Sequence, residues 1–200
     1  MKKFFALIMV LCLTVAALAA CGAKEVDYKL GIGAAVTGDG LKVTTTVASV
    51  VLDGEGKIVA CRIDAVDVKP TADDAGALTV AAEYATKAEL GDNYNMVTYG
   101  GAIAEWYKQA QHFETVVVGK TADEVATVKT GDAELTAGCT IDVTDFVKAV
   151  VNACKSEKKV DFKATGDVTL GAQEFYPGFI CLLQPFAFLI RKIRFDDAVF

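Results

Sequence analysis

The sequence predicts an α+β fold, in which a small antiparallel sheet with a β-hairpin packs against two to three helices. Three observations predict it. Two β-branched runs flank the turn "DGEGK" at 53–57, a helical pattern covers 102–119, and a clearer one, "DVTDFVKAVVNACKSEKK", covers 142–159. Hydrophobic residues make up 53% of the chain and prolines number 3, so a sizeable core is available and disorder is not expected.

The hairpin is the first of these elements. Asp-Gly-Glu-Gly between two β-branched runs is typical of a tight turn that joins antiparallel strands. The apolar positions of the two predicted strands are Val47, Val50, Val51, Ile58, Val59, Cys61, Ile63 and Val66.

The stretch "AIAEWYKQAQHFETVVVG" at 102–119 has helical spacing, with Ile103, Trp106, Tyr107 and Ala110 along one side. Trp106 is predicted to be a core anchor rather than a residue that stacks on a cofactor. His112, the single histidine, is predicted to be a surface or hydrogen-bonded residue, because no neighbour in the sequence completes a base–nucleophile pair.

Two further helix starts are visible. Thr121 and Glu124 have the spacing of a capping box, in which each side chain bonds the other's backbone N–H. The helix predicted at 142–159 has a lysine-rich end, as the helix dipole favours. Its apolar face consists of Val143, Phe146, Val147, Val150 and Cys154.

The N-terminus has the pattern of an export signal. "MKK" is followed by an apolar stretch at 4–20, and then by "LAAC" at 18–21. This segment resembles the lipobox of bacterial lipoproteins, which implies that Cys21 carries the lipid after cleavage and that 21–29 is a tether. The chain is then expected at the outer face of the cytoplasmic membrane or in the cell envelope. An uncleaved anchor and an ordinary secretory signal are the alternatives.

Charge argues against nucleic acid as a partner. The formal net charge is −6, and without the first 20 residues 18 basic groups face 26 acidic ones, which gives −8. Nucleic acid binding needs clustered Lys and Arg, and no basic stripe occurs before the last ten residues.

The cysteines left after lipidation are Cys61, Cys139, Cys154 and Cys181. There is no CxxC, and the single histidine has no metal-ligand spacing, so no zinc or haem site is predicted. Two interpretations stay open: a disulfide formed outside the cytoplasm, or buried small residues that pack in the core.

A short recurrence divides the chain. "KEVDYK" at 24–29 returns as "KKVDFK" at 158–163, and "LG" at 30–31 returns at 170–171. We therefore predict a domain at 30–157 and, at 158–200, the truncated or frame-shifted start of a second repeat. The aromatic, apolar and basic composition after 174 also fits an alternative, an interfacial segment in which Arg191, Lys192 and Arg194 meet anionic lipid.

The stretch "ELTAGCTIDVTDFVKAVVNA" at 134–153 resembles the C-terminal signature of the FMN-binding domain family. That pattern is an acid, two residues, Ser or Thr, Gly, Ala, and Thr or Ser, followed by an apolar-rich helix. Here Glu134 takes the place of the acid, Ala137 of the first hydroxyl, Gly138 of the glycine and Cys139 of the alanine. The resemblance implies a phosphoester between Thr140 and FMN, formed by a dedicated flavin transferase. The hairpin "LDGEGKIVACRI" is also similar to the family's strand–DGKI–strand element.

The chemistry of these residue types agrees with that function. A glycine permits close approach of a phosphate, the N-terminus of a helix favours its charge, and a threonine offers a hydroxyl for esterification. The local alternative is an ordinary helix start, with Gly138 as a turn residue and Asp142 or Thr144 as N-cap.

The expected function is thus that of a membrane-anchored flavoprotein, an electron carrier or binding protein rather than an enzyme, with redox proteins and a flavin transferase as partners. A second hypothesis is a binding or structural lipoprotein that keeps the fold without flavin. A third is a substrate-binding lipoprotein for an importer. The sequence shows no nucleophile–base pair, metal cluster or carboxylate dyad typical of a hydrolase.

Overall fold

The computed structural model describes residues 24–171. The strands are β1 (Val26–Asp39), β2 (Lys42–Leu52), β3 (Ile58–Val68), β4 (Thr71–Ala72) and β5 (Leu78–Thr79), with β6 (Val160–Ala164) at the end. Between β5 and β6 lie α1 (Lys87–Leu90), a 3₁₀ turn (Gly91–Tyr94), α2 (Met96–Gly100), α3 (Trp106–Val117), α4 (Ala122–Val125), α5 (Ala133–Thr136) and α6 (Thr144–Lys155). The predicted α+β class is confirmed.

The main sheet has four antiparallel strands in the order β3-β2-β1-β6, and β4 and β5 form a separate two-stranded ladder. The predicted hairpin is confirmed as β2 and β3. Its turn is stabilised by the carboxylate of Asp53, which accepts hydrogen bonds from the N–H groups of Glu55 and Lys57, both at 2.9 Å. Gly56 has φ of 78°, a conformation that favours glycine.

Helix α6 packs against β1 and β2 and approaches β1 closely because of two glycines. A Cβ built on Gly33 would lie 2.5 Å from the carbonyl oxygen of Ala149, and one on Gly31 would overlap the carbonyl of Ala153. Both separations are too short for a real side chain, so the glycines in "LGIG" allow the helix to sit against the strand.

The core joins α3 and α6 to the sheet through aromatic side chains. Phe146 of α6 lies edge-on to Trp106 and to Phe113 of α3, with ring centroids 5.5 and 5.4 Å apart. Such pairs stabilise beyond the area that they bury. The prediction that Trp106 is a core anchor is confirmed, since this residue is 4% exposed.

Ile103 does not belong to the apolar side of α3, which corrects the sequence prediction. It is exposed and precedes the helix, which begins at Trp106. The reason lies in Glu105, whose buried carboxylate accepts the N–H groups of Met96 and Val97 at 2.9 and 3.0 Å. Glu105 thus caps the start of α2 with its side chain. Its own backbone is extended at the N-cap of α3, so the residues before Trp106 are not helical.

The other two helix predictions are confirmed. Thr121 and Glu124 form the expected capping box at the start of α4. On α6 the predicted apolar face is directed into the core, where Phe146, Val150 and Cys154 are buried and Val147 is partly buried.

The sheet extends past both predicted domain boundaries. Val26–Lys29, assigned to the tether, belong to β1, and Val160–Ala164 pair with the start of β1 as an edge strand. The recurrent segments are therefore neighbours: Tyr28 stacks on Phe162 at 5.6 Å, and lysine–aspartate pairs flank them. Because both strands have the same alternation of apolar and charged residues, antiparallel pairing places aromatic side chains opposite each other and lysines opposite aspartates. That 158–200 begins a second repeat stays a prediction, and 172–200 lie outside the described residues.

The predicted signal segment 1–20 and the predicted lipid-attachment residue Cys21 also lie outside the described residues. Within 24–171, no helix has the length and apolar character needed to cross a membrane.

Candidate functional site

The predicted flavin-acceptor residues follow one another through α5 and the turn that leads to α6. Glu134 lies in α5, and Ala137, Gly138, Cys139 and Thr140 form the turn. Glu134, Ala137 and Thr140 are exposed, Gly138 is half-buried and Cys139 is buried. The hydroxyl-bearing residue that the family resemblance selects is therefore at the surface.

Protein acceptors occupy the backbone donors of this turn. The N–H groups of Gly138 and Cys139 both donate to the carbonyl of Leu135, at 3.0 and 2.7 Å. The N–H of Thr140 donates to Oε1 of Gln109 at 2.9 Å. These three consecutive N–H groups are thus not directed together at a space that a phosphate could fill.

Gln109 is a site residue that sequence analysis missed. It is fully buried, and its Nε2 donates to the carbonyl of Ala104 at 2.7 Å while its Oε1 accepts from Thr140. The hydroxyl of Thr140 is also 3.4 Å from that oxygen. The available signal was a polar residue three positions after Trp106 and four before Phe113, on the buried side of the helix.

His112 explains the glycine at position 138. A Cβ on Gly138 would lie 2.5 Å from Cγ of the imidazole, so the ring occupies the space that a side chain would need. Nε2 of His112 is 3.1 Å from the carbonyl oxygen of Glu134. The predicted hydrogen-bonded histidine is confirmed, and its ring covers one side of the turn.

Two substituted positions of the motif have structural roles. The carboxylate of Glu134 pairs with Lys120 at 3.2 Å, an exposed ion pair that contributes little to stability. Cys139 is 1% exposed and belongs to the core, and burial raises the pKa of its thiol. The thiol that replaces the family's alanine is therefore part of the packed core.

Two side chains accept the first backbone N–H groups at the start of α6, one from a neighbouring residue and one from the preceding loop. Oδ1 of Asp142 accepts the N–H of Thr144 at 2.8 Å, and the hydroxyl of Thr130 accepts the N–H of Val143 at 3.0 Å. The sequence predicted Asp142 or Thr144 as the N-cap. The N-cap position is instead occupied by Val143, and Asp142 contributes the capping hydrogen bond from one residue earlier. The bonds from Thr144 hold the pKa of Asp142 below its usual value.

An open groove of about 580 Å³ lies beside this helix start. Lys129 and Lys148 line it together with Asp142, Thr130 and Thr144. The groove therefore combines two cationic side chains with the positive end of a helix dipole, and one carboxylate opposes them.

The described residues fit an FMN ester at Thr140 but not a phosphate cradle made by the turn. Thr140 is an exposed residue, as an esterified side chain must be, and its hydroxyl lies 3.4 Å from Oε1 of Gln109. Its neighbouring N–H groups have protein acceptors, however, and the imidazole of His112 covers Gly138. Any phosphate at Thr140 would therefore be held by side chains or solvent rather than by N–H groups 138–140.

A second polar cluster lies at the edge of β3. Glu114 of α3 accepts the N–H of Ile63 at 2.7 Å and lies 3.4 Å from the guanidinium of Arg62. Burial raises the pKa of Glu114 to about 7, despite the opposing charge of Arg62. Burial also raises the pKa of the adjacent Asp64. Because Glu114 satisfies an outward N–H of an edge strand, its role is structural.

Metal and disulfide chemistry find no support within 24–171. No group of three or more His, Cys, Asp or Glu side chains in this part of the chain is placed to hold a metal ion. Cys61, Cys139 and Cys154 are buried and unpaired with one another, as expected for small core residues.

Comparison of the chain with known protein families, curated proteins and solved structures finds no match. The resemblance to FMN-binding domains accordingly rests on the motif at 134–153 and on the β2–β3 hairpin.

Proposed function

We propose that this chain is a lipid-anchored, extracytoplasmic domain that carries FMN as an ester on Thr140 and transfers electrons at the membrane surface. One observation carries the proposal. The residue that the family pattern selects as flavin acceptor is an exposed threonine, and the buried amide of Gln109 accepts hydrogen bonds from its backbone N–H at 2.9 Å and from its hydroxyl at 3.4 Å.

The arrangement supports attachment in two ways. A backbone fixed by Gln109 holds this exposed threonine at the surface without further ordering of the turn, and the hydroxyl has only a long hydrogen bond to give up when it is esterified. Lys129 and Lys148 line the groove at the adjoining helix start, and their charge favours an anionic ligand. When bound, FMN supplies the redox chemistry, while the protein supplies the attachment point, the orientation and, through Cys21, the tether.

The test is co-expression of the full chain with a flavin transferase, followed by mass spectrometry of the peptide that contains Thr140. We expect the mass of one FMN on this peptide and none in Thr140→Val. Thr136→Val is the matched control, because Thr136 is an exposed threonine four residues earlier in α5 and its loss should leave the labelling unchanged. An unmodified wild type beside a labelled known acceptor would contradict the proposal.

A second candidate function is a binding or structural lipoprotein that keeps the fold without flavin. The specific observation in its favour is that protein acceptors satisfy the N–H groups of Gly138, Cys139 and Thr140. If this function is correct, no covalent label forms, and a titration with free FMN leaves flavin fluorescence unchanged.

Lipid anchoring has a separate test. Wild type should partition with membranes, and Cys21→Ala should lose the lipid mass and appear in the soluble fraction. Cys12→Ala is the control, because this cysteine lies inside the apolar stretch and is not the lipobox position. A Cys21→Ala form that stays wholly with membranes would argue for an uncleaved anchor.

A further inference from the structure

The main sheet has one face that α3 and α6 cover and one that they do not. The close approach of α6 to Gly31 and Gly33 defines the covered face. Because side chains alternate along a strand, the positions between these glycines belong to the opposite face, here called the outer face. Its large exposed members are Val26, Ile32 and Val36 of β1, Val43 of β2 and Val160 of β6.

On β1, β2 and β6 the outer face carries no charged side chain. Its charged residues, Arg62 and Asp64, lie on β3 at the far edge of the sheet, and Thr45 and Ser49 are its polar residues on β2. Its five large aliphatic side chains are between 39% and 65% exposed, and they come from three neighbouring strands. An antiparallel sheet that faces water normally carries polar residues on that side. A contiguous apolar surface of this kind marks a binding surface.

The pairing of β1 with β6 shows the same pattern. The aromatic pair Tyr28–Phe162 lies on the outer face, whereas the ion pairs Asp27–Lys163 and Lys29–Asp161 alternate with it and lie on the other side. Along both strands the charged residues avoid the outer face. At its centre, Val51 is buried, although it is not part of the core shared with α3 and α6.

We infer that the outer face is the docking surface for residues 175–190 of the same chain. This segment, "FYPGFICLLQPFAFLI", contains no charged residue and four phenylalanines, so its composition matches an apolar surface. It contrasts with the acidic remainder of the chain, which offers no other uncharged stretch of this length after the export signal.

The segment starts close enough to reach this surface. Ten residues, 165–174, separate it from the end of β6, an edge strand of the same sheet. Ten extended residues span about 33 Å, whereas four strands are only about 15 Å across. Pro177 and Pro185 lack the N–H that a paired strand donates, which favours docking across the face over addition of a fifth strand.

Disulfide trapping in the full chain tests the inference, because Cys181 is a native thiol inside the segment. Ile32→Cys places a second thiol on the outer face. Ile103→Cys is the control, because it replaces the same residue type at a more exposed position, 58% against 40%, in the loop before α3. Cys61, Cys139 and Cys154 are buried and compete little. After mild oxidation we expect an intramolecular link between positions 32 and 181, identified by mass spectrometry, and no link from position 103.

Three results would overturn the inference. In the first, the thiol at position 32 stays free after oxidation. In the second, the yield of its disulfide with Cys181 is no higher than the yield from position 103. In the third, mixtures of isotopically light and heavy protein show that the disulfide from position 32 forms mainly between two chains, which would mean that the outer face binds a second copy of the protein.

Proteolysis gives a second measurement that does not depend on thiol geometry. Val36→Lys places a charge on the outer face at a position that is exposed enough to tolerate it, and Val118→Lys places one at an exposed position after α3. We expect chymotrypsin to cleave within 175–190 several-fold faster in Val36→Lys than in wild type, with Val118→Lys unchanged. Equal cleavage in all three proteins, with unchanged circular dichroism, would show that the segment does not dock on this face.

Discussion

Gln109 and Thr140, 31 residues apart in sequence, are joined by a hydrogen bond of 2.9 Å from the backbone N–H of Thr140 to the side-chain amide of Gln109. The same amide donates to the carbonyl of Ala104. One buried side chain therefore ties the proposed flavin-acceptor turn to α3 and to the loop before it.

Replacement of Gln109 by Leu should destabilise the fold. The substitution leaves the N–H of Thr140 and the carbonyl of Ala104 without their partner, which costs about 2 kcal/mol of unfolding free energy. Gln111→Leu is the matched control, since Gln111 lies on the exposed side of the same helix and should change stability by less than about 0.5 kcal/mol. Urea unfolding measures both, and equal effects would contradict the role given to Gln109.

The glycines of β1 differ in what an added methyl group would meet. Gly33→Ala should cost about 3 kcal/mol, because the new Cβ would overlap the backbone of α6 and force the helix away from the strand. Gly38→Ala, in the same strand, meets no atom closer than 4.0 Å and should be nearly neutral. Thermal unfolding of the two variants checks the difference. Similar melting temperatures would mean that α6 does not approach β1 as described.

The contact between His112 and Gly138 predicts strong coupling between two substitutions. Gly138→Ala alone should destabilise by about 2 kcal/mol, because its Cβ would overlap the imidazole. In a His112→Ala background the ring is gone, and the same change should cost at least about 1 kcal/mol less. A double-mutant cycle from urea unfolding gives this coupling. Additive effects would show that the imidazole does not occupy the space beside Gly138.

Glu114 should make stability depend on pH. Its pKa is raised from 4.5 to about 7 in the folded protein by burial, so the folded state holds a proton that the unfolded state releases. The contribution is complete below about pH 4.5 and is lost as the pH rises to about 7. Unfolding free energy should therefore decline across this window in wild type, and the decline should be smaller in Glu114→Gln.

The charged neighbours of Glu114 define the control for that experiment. Arg62 opposes the shift, and Asp64, whose pKa burial also raises, adds a slope of the same sign at lower pH. Glu134→Gln, which alters an exposed glutamate, should keep the wild-type slope. If Glu114→Gln also keeps it, Glu114 is ionised in the folded protein throughout the range.

Local sequence patterns correctly predicted those elements whose structure depends on residues close together in the chain. The hairpin follows from the glycine turn between two β-branched runs, and the Thr121–Glu124 box follows from its own spacing. The extent of the sheet was not predictable in this way. β1 carries apolar or small residues on both faces over much of its length, so its alternation is weak, and β6 was recognisable only as a recurrence of "VDYK".

In the candidate site, too, the sequence predicted the contiguous residues and missed the contacts between distant ones. The sequence identified the turn, its glycine and Thr140, because these are consecutive residues with a recognisable pattern. It did not identify Gln109 as the partner of Thr140 or His112 as the reason for Gly138, since both contacts join residues more than twenty positions apart.

The sequence by itself determined the class of fold, the Thr121–Glu124 helix start and the apolar face of α6, because the capping box and the helix face each depend on residues within a few turns of the chain. Only the tertiary structure decided that the turn's N–H groups are bonded internally, and that the charged residues of β1 and β6 pair with one another on the side of the sheet opposite the outer face. These features depend on which distant segments meet in space, and hydrogen-bond partners and burial exist only once the chain has folded.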